Sequence, residues 1–483
     1  MKHKEIQQPK IRSVKFNVVM NMILTTSSFL FPLITVPYVS RVLGPSGMGI
    51  VSWVQTLITY FSLIAMLGMT SYGTRACAEV RDDREKLSQV TQELILILVI
   101  STTITYCIYL VAIFLIPKTR NNLLLAFIFS LGIWLTSCGC NWFYQAIEQY
   151  GYITVRNIAS KFVGLLLMFI LVRTVHDYVW YAVTIVVGSY GSNIFNLIRL
   201  HKFVDFKRHR KYNLRRHFKP MVSFTISSIS AGMYAQIDML LSGFFLSNTL
   251  VGVYQMVVKI KSICSSAVNS VGAVMLPRLT YYEAKQGHEK TRQLIGKNIN
   301  FIMILSLGMM IILCICGDSI IQILGGSQYL NGVVPLALTS PVLLFSATNG
   351  MLTQYLNATK REKESASVNL FGLIVGVIFG CILIPKYNII GAALSVLLCE
   401  GCALIVRVYL LRDFIRTLRG QTDIWKIVIA AIFAGVAVGI CKQLSPANPL
   451  ILLIICGTVL VIVYLLALLI LKEKFIRQIL HKQ

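Results

Sequence analysis

The chain has 483 residues, 56% of them hydrophobic and 13% charged, with a mean hydropathy of +0.72 and a formal net charge of +26. That profile excludes a soluble globular domain and points to a polytopic membrane protein. Basic loops on the cytoplasmic side of a membrane account for the positive charge, so nucleic-acid binding is not implied.

The N-terminus is basic (Lys2, Lys4, Lys10, Arg12, Lys15) and leads into an apolar run from Asn17 to Pro37. That run is long enough to cross a bilayer and no small-x-small cleavage site follows it, so it is expected to be a retained first span. Continuing along the chain, apolar stretches of spanning length predict fourteen helices. They lie at roughly 17–37, 49–71, 92–116, 122–144, 153–172, 178–199, 220–246, 250–276, 298–321, 332–356, 366–385, 389–410, 424–441 and 449–471. The expected fold is therefore an all-α polytopic membrane protein with about 14 transmembrane helices.

The connections alternate between basic and nearly uncharged. Of the 45 Lys and Arg residues, 36 fall in the termini and the even-numbered connections, and only six in the others: Arg41, Lys118, Arg120, Arg173, Lys386 and Lys442. By the positive-inside rule both termini are predicted to be cytoplasmic. Trp53, Trp142, Trp180 and Trp425 fall near span ends and are expected to act as interfacial anchors. The outer loops are all short, leaving no room for an extracellular catalytic domain. The longest inner loop, residues 201–220, is strongly basic and is expected to fix topology or meet anionic headgroups.

That loop divides six spans from the next six. The stretch VLGPSGMGIVSWVQTL (42–57) aligns with FLSNTLVGVYQMVVKI (245–260), pairing Gly49 with Gly252. YQAIEQYGYITVRN (144–157) aligns with LNATKREKESASVN (356–369), pairing Ala146 with Ala358 and Asn157 with Asn369. An even number of spans per half gives both halves the same orientation, and parallel repeats place a substrate site between them. The expected organisation is an N-terminal lobe over 1–200, a basic linker over 201–219, a C-terminal lobe over 220–411 and a two-span appendage with a tail over 412–483.

The twelve cysteines lie almost entirely in apolar runs, as at Cys107, Cys264, Cys314 and Cys381. Cys138-Gly-Cys140 lacks a second ligand pair, so the thiols read as small hydrophobes rather than as a disulfide framework or a zinc site.

Three lysines remain inside spans: Lys161, Lys259 and Lys261. Ionisable groups at such depth are functional candidates. Lys259 lies roughly 13 Å from the outer end of span eight at 1.5 Å per residue. Asp238, on the preceding antiparallel span, lies at nearly the same depth, which predicts an Asp238–Lys259 ion pair. Lys261 points about 200° around the helix from Lys259 and is the weaker candidate. Span eight is rich in small residues beyond Lys261 (Ser262, Ser265, Ser266, Ala267, Ser270, Gly272, Ala273), which suits a polar path or close packing. Arg156 lies near the cytoplasmic edge of span five, and Glu400 near the middle of span twelve. Glu400 is read either as an ion-coupling group or as a structural hydrogen-bond partner. Arg41 and Arg75 sit just outside span ends, as guards of the two mouths or as interfacial anchors. The basic groups outnumber the deep acids, and that excess favours an anionic substrate of the phosphate or pyrophosphate class.

Several stretches resemble a known family. SRVLGPSGMGIVSWVQTLITYFSLIAMLGMTSYGTRACAEVRDDREKLS (40–88) is similar to the N-terminal signature of Wzx-type polysaccharide flippases, which carry O-antigen or capsule repeat units. The pieces are the L-G-P-x-G-x-G turn at Leu43–Gly49, Y-G-T-R at Tyr72–Arg75 and R-D-D-x-x-K-L at Arg81–Leu87. NWFYQAIEQYGYITVRNIASK (141–161) resembles the same family's loop between spans four and five. These flippases belong to the multidrug/oligosaccharidyl-lipid/polysaccharide exporter superfamily, with MATE transporters and the lipid II flippase as relatives.

The resemblance implies translocation of undecaprenyl-pyrophosphate-linked oligosaccharide across the bacterial plasma membrane, by alternating access of two six-helix lobes around a cationic cavity. It implies membrane lipids, a polysaccharide polymerase and chain-length machinery as partners, no cofactor, and coupling to protons or sodium. Lys259 is the best single carry-over, since relatives use basic residues in spans including the eighth. The alternatives are a MATE-like ion-coupled exporter of small molecules, a polymerase or ligase enzyme, which needs a sizeable outer loop, and a non-transporting scaffold.

Overall fold

The computed structural model describes residues 12–206, 212–269, 288–418, 420–444 and 448–480. All regular structure among them is helical. Among the described residues, nine helices are long and apolar enough to cross a membrane, or ten if a pair bent by 47° (327–339 and 342–358) is one span. Two stretches are far longer than a crossing needs, 65 residues over Lys15–Glu79, which is bent near residue 67, and 49 over Glu362–Leu410. A 20-residue helix already spans the roughly 30 Å hydrocarbon core.

The described chain divides into two compact units, residues 1–43 with 50–236, and 44–49 with 237–483. The first holds most of α1 (Val14–Met66), then α2 (Met69–Glu79), α3 (Arg84–Leu115), α4 (Pro117–Arg120), α5 (Leu123–Cys138), α6 (Asn141–Ala146), α7 (Tyr150–Leu171), α8 (Tyr178–Val186), α9 (Asn193–Leu200) and α10 (Arg215–Tyr234). Local chemistry sets the helix ends. Ser13 accepts the Phe16 amide at the start of α1, and Asp83 accepts the Lys86 amide at the start of α3. Leu67 and Gly68, both at positive φ, end α1; a Cβ on Gly68 would lie 2.6 Å from the Phe224 carbonyl carbon, so glycine is required there. A π-turn at Val187–Gly191 joins α8 to α9, and its Val187 carbonyl accepts the Ser160 hydroxyl of α7 at 2.6 Å. The core packs α2, α3, α6 and α9 around Trp142, Phe143, Tyr144 and Leu94.

The second unit begins its helical run with α11 (Ile237–Phe245) and α12 (Asn248–Asn269). Beyond residue 287 it continues with α13 (His288–Ile315), α14 (Gly317–Gly325), α15 (Val333–Thr339), α16 (Val342–Ala358) and α17 (Glu362–Leu410). It closes with α18 (Arg412–Thr417), α19 (Ile424–Leu444), α20 (Pro449–Ile470) and α21 (Lys474–Leu480). α17 is not one straight rod. Asn388 sits at φ 52°, and a Cβ on Gly391 would lie 2.0 Å from the Leu383 carbonyl oxygen. Eight residues of continuous helix would separate them by about 12 Å, so the chain doubles back at Asn388. α11 seats Ile237 and Leu241 against Gly376 and Gly380 of α17, a small-residue stripe that admits close approach. α19 and α20 pack against α13 through Ile427, Ala430, Ala434 and Cys456. They are pinned by Lys442 on Asp318 at 2.9 Å and by the buried Glu473 on Asn300 at 3.0 Å.

Both sequence matches have local structural counterparts. Gly49 and Gly252 lie against each other's helix: a Cβ on Gly49 would fall 1.8 Å from the Asn248 carbonyl oxygen, and one on Gly252 would fall 1.8 Å from that of Pro45. At the second match, Glu148 and Lys360 both take the left-handed conformation, at φ 54° and 61°. The amide after each bonds the carbonyl five residues back, Gln149 to Tyr144 at 2.9 Å and Arg361 to Leu356 at 2.8 Å.

Candidate functional site

The polar groups inside the apolar helices fall into clusters within each unit. In the first unit, Lys161 of α7 is half-buried, and its ammonium donates to Ser27 and Ser28 of α1 at 3.0 Å each. Phe31 stands at 6.0 Å. No carboxylate among the described residues pairs with it, so the charge is held by neutral hydroxyls alone. Arg156, one turn and a half earlier, is 7% exposed and donates to Asn141 at 2.8 Å. Its Nε and other terminal nitrogen have no hydrogen-bond partner. Asn141 also receives Asn196 and donates to Asn193, giving a buried amide cluster where α6, α7 and α9 meet.

In the second unit, Asp238 is 3% exposed and accepts the Tyr254 hydroxyl at 2.6 Å. The expected partner Lys259 is not the one it takes: Lys261 pairs with Asp238 at 3.6 Å. The correction has a helical cause. Tyr254 and Lys261 are seven residues apart, within about 20° of one another around α12, whereas Lys259 is about 140° from Tyr254. Side chains on a helix also lean toward its N-terminus, so Lys261 reaches back to the level of Asp238. Lys259 is half-buried and makes no hydrogen bond or ion pair among the described residues. Of the small residues of span eight, Ser270, Gly272 and Ala273 lie outside the described residues.

Glu400 of α17 is engaged by Asn349 of α16, whose amide donates to the carboxylate at 2.7 Å and to the Glu400 carbonyl at 3.1 Å. Arg407, in the same helix and 2% exposed, donates to Asn369 at 2.5 Å. Arg41 is exposed, and Arg75 is exposed in a surface pair with Glu79 at 3.1 Å. Tyr254, Asn349 and Arg407 were not singled out by sequence. Tyr254 carried one usable signal, its heptad spacing from Lys261; a neutral Asn within a span carried none.

Two tryptophans also depart from expectation. Trp53 and Trp142 are fully buried rather than interfacial, Trp142 lying against Gly73 in the core. Trp180 and Trp425 are 50% and 80% exposed. The basic loop has a fixed end. Glu93 of α3, 0% exposed, accepts Arg216 at 2.6 Å, His217 at 2.8 Å and the Asn213 amide at 2.9 Å. His217 in turn meets the Tyr72 hydroxyl at 2.6 Å. This clasp ties the start of α10 to α2 and α3; residues 207–211 of the loop lie outside the described residues. Nearby, Arg81 meets Glu148 at 2.6 Å, and that hydrogen bond holds the guanidinium above its ordinary pKa. No group of three or more His, Cys, Asp or Glu side chains fit to hold a metal ion occurs among the described residues.

Comparison with known proteins gives these clusters a family. The model of the polysaccharide biosynthesis protein family matches residues 14–283, more than half of the chain. The chain belongs to that family. A putative O-antigen transporter of Shigella dysenteriae is 23% identical over 395 residues, covering 80% of this chain and 97% of that protein. A probable low-salt glycan biosynthesis flippase, Agl15 of Haloferax volcanii, is 23% identical over 244 residues, 50% of this chain and 52% of that one. Among solved structures, the lipid II flippase MurJ in an inward closed conformation superposes with a TM-score of 0.72 at 15% identity, covering 96% of this chain and 100% of that one. An inward-facing multidrug resistance MATE family transporter of the MOP superfamily gives 0.63 at 14% identity, covering 86% and 98%. This member of the polysaccharide biosynthesis family thus has the fold of flippases and exporters, over nearly its whole length.

Proposed function

We propose that the chain is a flippase that carries undecaprenyl-pyrophosphate-linked oligosaccharide repeat units from the cytoplasmic to the outer leaflet of the bacterial plasma membrane. In this reading both termini are cytoplasmic and the chain crosses fourteen times. Eleven crossings come from the nine long helices, counting α1 and α17 twice each, one from the bent pair, and two from α10–α11 and α12. Spans seven and eight escape a hydropathy criterion because α10 is rich in serine and α12 carries two lysines. Two six-helix lobes, related as parallel repeats, alternate access to a cationic cavity between them, and α19 and α20 are added to the second.

The observation that carries the reading is the pair Lys161 and Lys259, in a member of a polysaccharide biosynthesis family. Both are cations within apolar helices with no carboxylate partner among the described residues. Such charge is costly in lipid and is retained where an anion visits. A pyrophosphate supplies that anion, and single lysines bind it as point charges, firmly enough to capture and weakly enough to release. Arg156, with two of its nitrogens unmatched, adds to the same charge, and Arg41 and Arg75 act at the mouths. The glycan is polar and crosses in the hydrated cavity, while the polyprenyl tail stays in lipid. A polymerase and chain-length machinery would receive the product.

The test is flipping of a defined lipid-linked oligosaccharide in proteoliposomes. Wild type should transfer it, and Lys259→Ala and Lys161→Gln should each reduce transfer at least tenfold while inserting normally; undiminished transfer in both variants counts against the reading. A second reading, ion-coupled export of small molecules, is favoured by the carboxylates of the buried Asp238 and the half-buried Glu400. It predicts that small-molecule export runs down a sodium or proton gradient without any lipid-linked glycan present.

A further inference from the structure

One cavity in the first unit is lined by neither Lys161 nor Arg156. It has a volume of about 280 Å³ and opens where α1 and α7 begin and α9 ends. Its polar wall is Arg12, Asn17, Glu148, Gln149 and Arg199, and its apolar wall includes Phe16 and Val155. The one carboxylate is already committed. Glu148 gives one oxygen to Arg81 at 2.6 Å and the other to the Asn17 amide at 3.3 Å. Arg12 and Arg199 are left without an acidic partner among the described residues. Arg199 is nevertheless held in place, its guanidinium 4.0 Å from the centre of the Tyr152 ring and 5.7 Å from that of Phe203. The Arg12 guanidinium lies 4.9 Å from the Phe16 ring centre. A stacked guanidinium keeps its in-plane N–H donors free for an oxyanion.

Two further features point to a ligand. The first turn of α7 has no side-chain cap from Gln149, and a helix start carries partial positive charge. Asn17 is 6% exposed, and its carbonyl oxygen has no hydrogen-bond partner. The site thus offers donors for an anion and one buried acceptor for a hydroxyl. Beside it, Val155 is 65% exposed and Val18 and Val19 about half exposed, an apolar border suited to an acyl chain. The volume is at the small end of ligand sites, which run about 300–1,000 Å³. That suits a headgroup and is too small for an oligosaccharide.

We infer that this cavity is a binding site for the phosphate headgroup of an anionic glycerophospholipid, with the phosphate on Arg12 and Arg199, a headgroup hydroxyl on Asn17 and the chain along Val18, Val19 and Val155. The site does not depend on what the protein transports. Basic pockets between membrane helices are established binders of anionic headgroups, each Arg strengthening attraction severalfold.

The experiment uses the full-length protein in mild detergent, titrated with phosphatidylglycerol, phosphatidylcholine, inorganic phosphate or a short polyprenyl pyrophosphate, and read by native mass spectrometry. Phosphatidylglycerol should bind with one saturable site per chain. Arg12→Gln/Arg199→Gln should weaken it on the order of thirtyfold. Arg12 is exposed, so Arg12→Gln alone should fold normally and weaken binding about fivefold. Arg416→Gln, at an exposed pair with Asp413 outside the cavity, should leave binding unchanged. The inference is overturned if phosphatidylcholine binds equally, if neither cavity arginine variant weakens binding, or if Arg416→Gln weakens it as much. Equal or tighter binding of inorganic phosphate would make it a free-anion site, and tighter binding of the polyprenyl pyrophosphate would assign it to a transported lipid; either outcome also overturns it.

Discussion

Gly252→Ala adds a single methyl group to the protein, at a place where none fits. The new Cβ would lie 1.8 Å from the Pro45 carbonyl oxygen, 2.6 Å from its carbon and 3.0 Å from the Gly49 amide nitrogen. Ordinary carbon–oxygen contact is about 3.3 Å or more, so the two segments must separate by roughly 1.5 Å. All three obstructing atoms are backbone, so no side-chain rotation relieves the contact. The glycine Cα lies about 1.5 Å from that Cβ position, hence no more than about 3.3 Å from the carbonyl oxygen. That is Cα–H···O distance, worth about 0.5–1 kcal/mol at each of the two reciprocal sites. Adding a typical overpacking penalty of about 1–3 kcal/mol gives a loss of about 2–5 kcal/mol. For a unit of this size that corresponds to roughly 4–10 °C in melting temperature. The assay is thermal unfolding in detergent, read by a thiol-reactive dye on the buried cysteines. Gly49→Ala should cost a similar amount. The double variant should cost clearly less than the sum, because the segments part only once. A melting temperature within 1 °C of wild type for either single variant, or full additivity in the double, would refute the contact.

Three further outcomes follow from the buried polar groups and the core. Glu93→Gln removes the negative charge and one of the two acceptor oxygens that Arg216, His217 and the Asn213 amide share; with Arg216 partly exposed, the cost should be about 2–3 kcal/mol, seen as lower folded yield and faster proteolysis at the start of α10. Lys261→Met leaves Asp238 buried with only Tyr254 and should destabilise by about 3 kcal/mol, while Asp238→Asn/Lys261→Met should recover most of that stability in the same melting assay. Trp142→Phe should cost about 2 kcal/mol through the cavity it opens against Gly73, whereas Trp425→Phe, at an exposed site, should change the melting temperature by under 1 °C.

Hydropathy located the helices well, because burial in lipid demands long apolar runs whatever the tertiary packing. The gaps expected at 38–48 and 386–388 hold the helix breaks at Gly44 and Asn388, while the expected spans 220–246 and 250–276 match no long apolar helix among the described residues. The paired stretches were legible more deeply than expected: the alignment that matched Gly49 to Gly252 also picked the two backbones that touch, and the other matched Glu148 to Lys360, which share a left-handed turn. The ion pair was not legible from depth alone. Depth along a helix is a sum over residues, but which lysine meets Asp238 depends on azimuth, and only the position of Tyr254 fixes that. The tryptophans failed for a related reason, since nearness to a span end does not say which way a ring points. Asn349 and Arg407 gave no periodic signal; their roles come from partners on other helices.

The reciprocal glycine contact carries a consequence for how the chain can vary. Exchanging Pro45 with Asn248 and Gly49 with Gly252 turns one contact into the other, at a constant offset in sequence. Such reciprocity is the pattern of an isologous contact, in which each side meets the other through the same patch. The two glycines are therefore tied together, since a side chain added at either one parts the same pair of backbones.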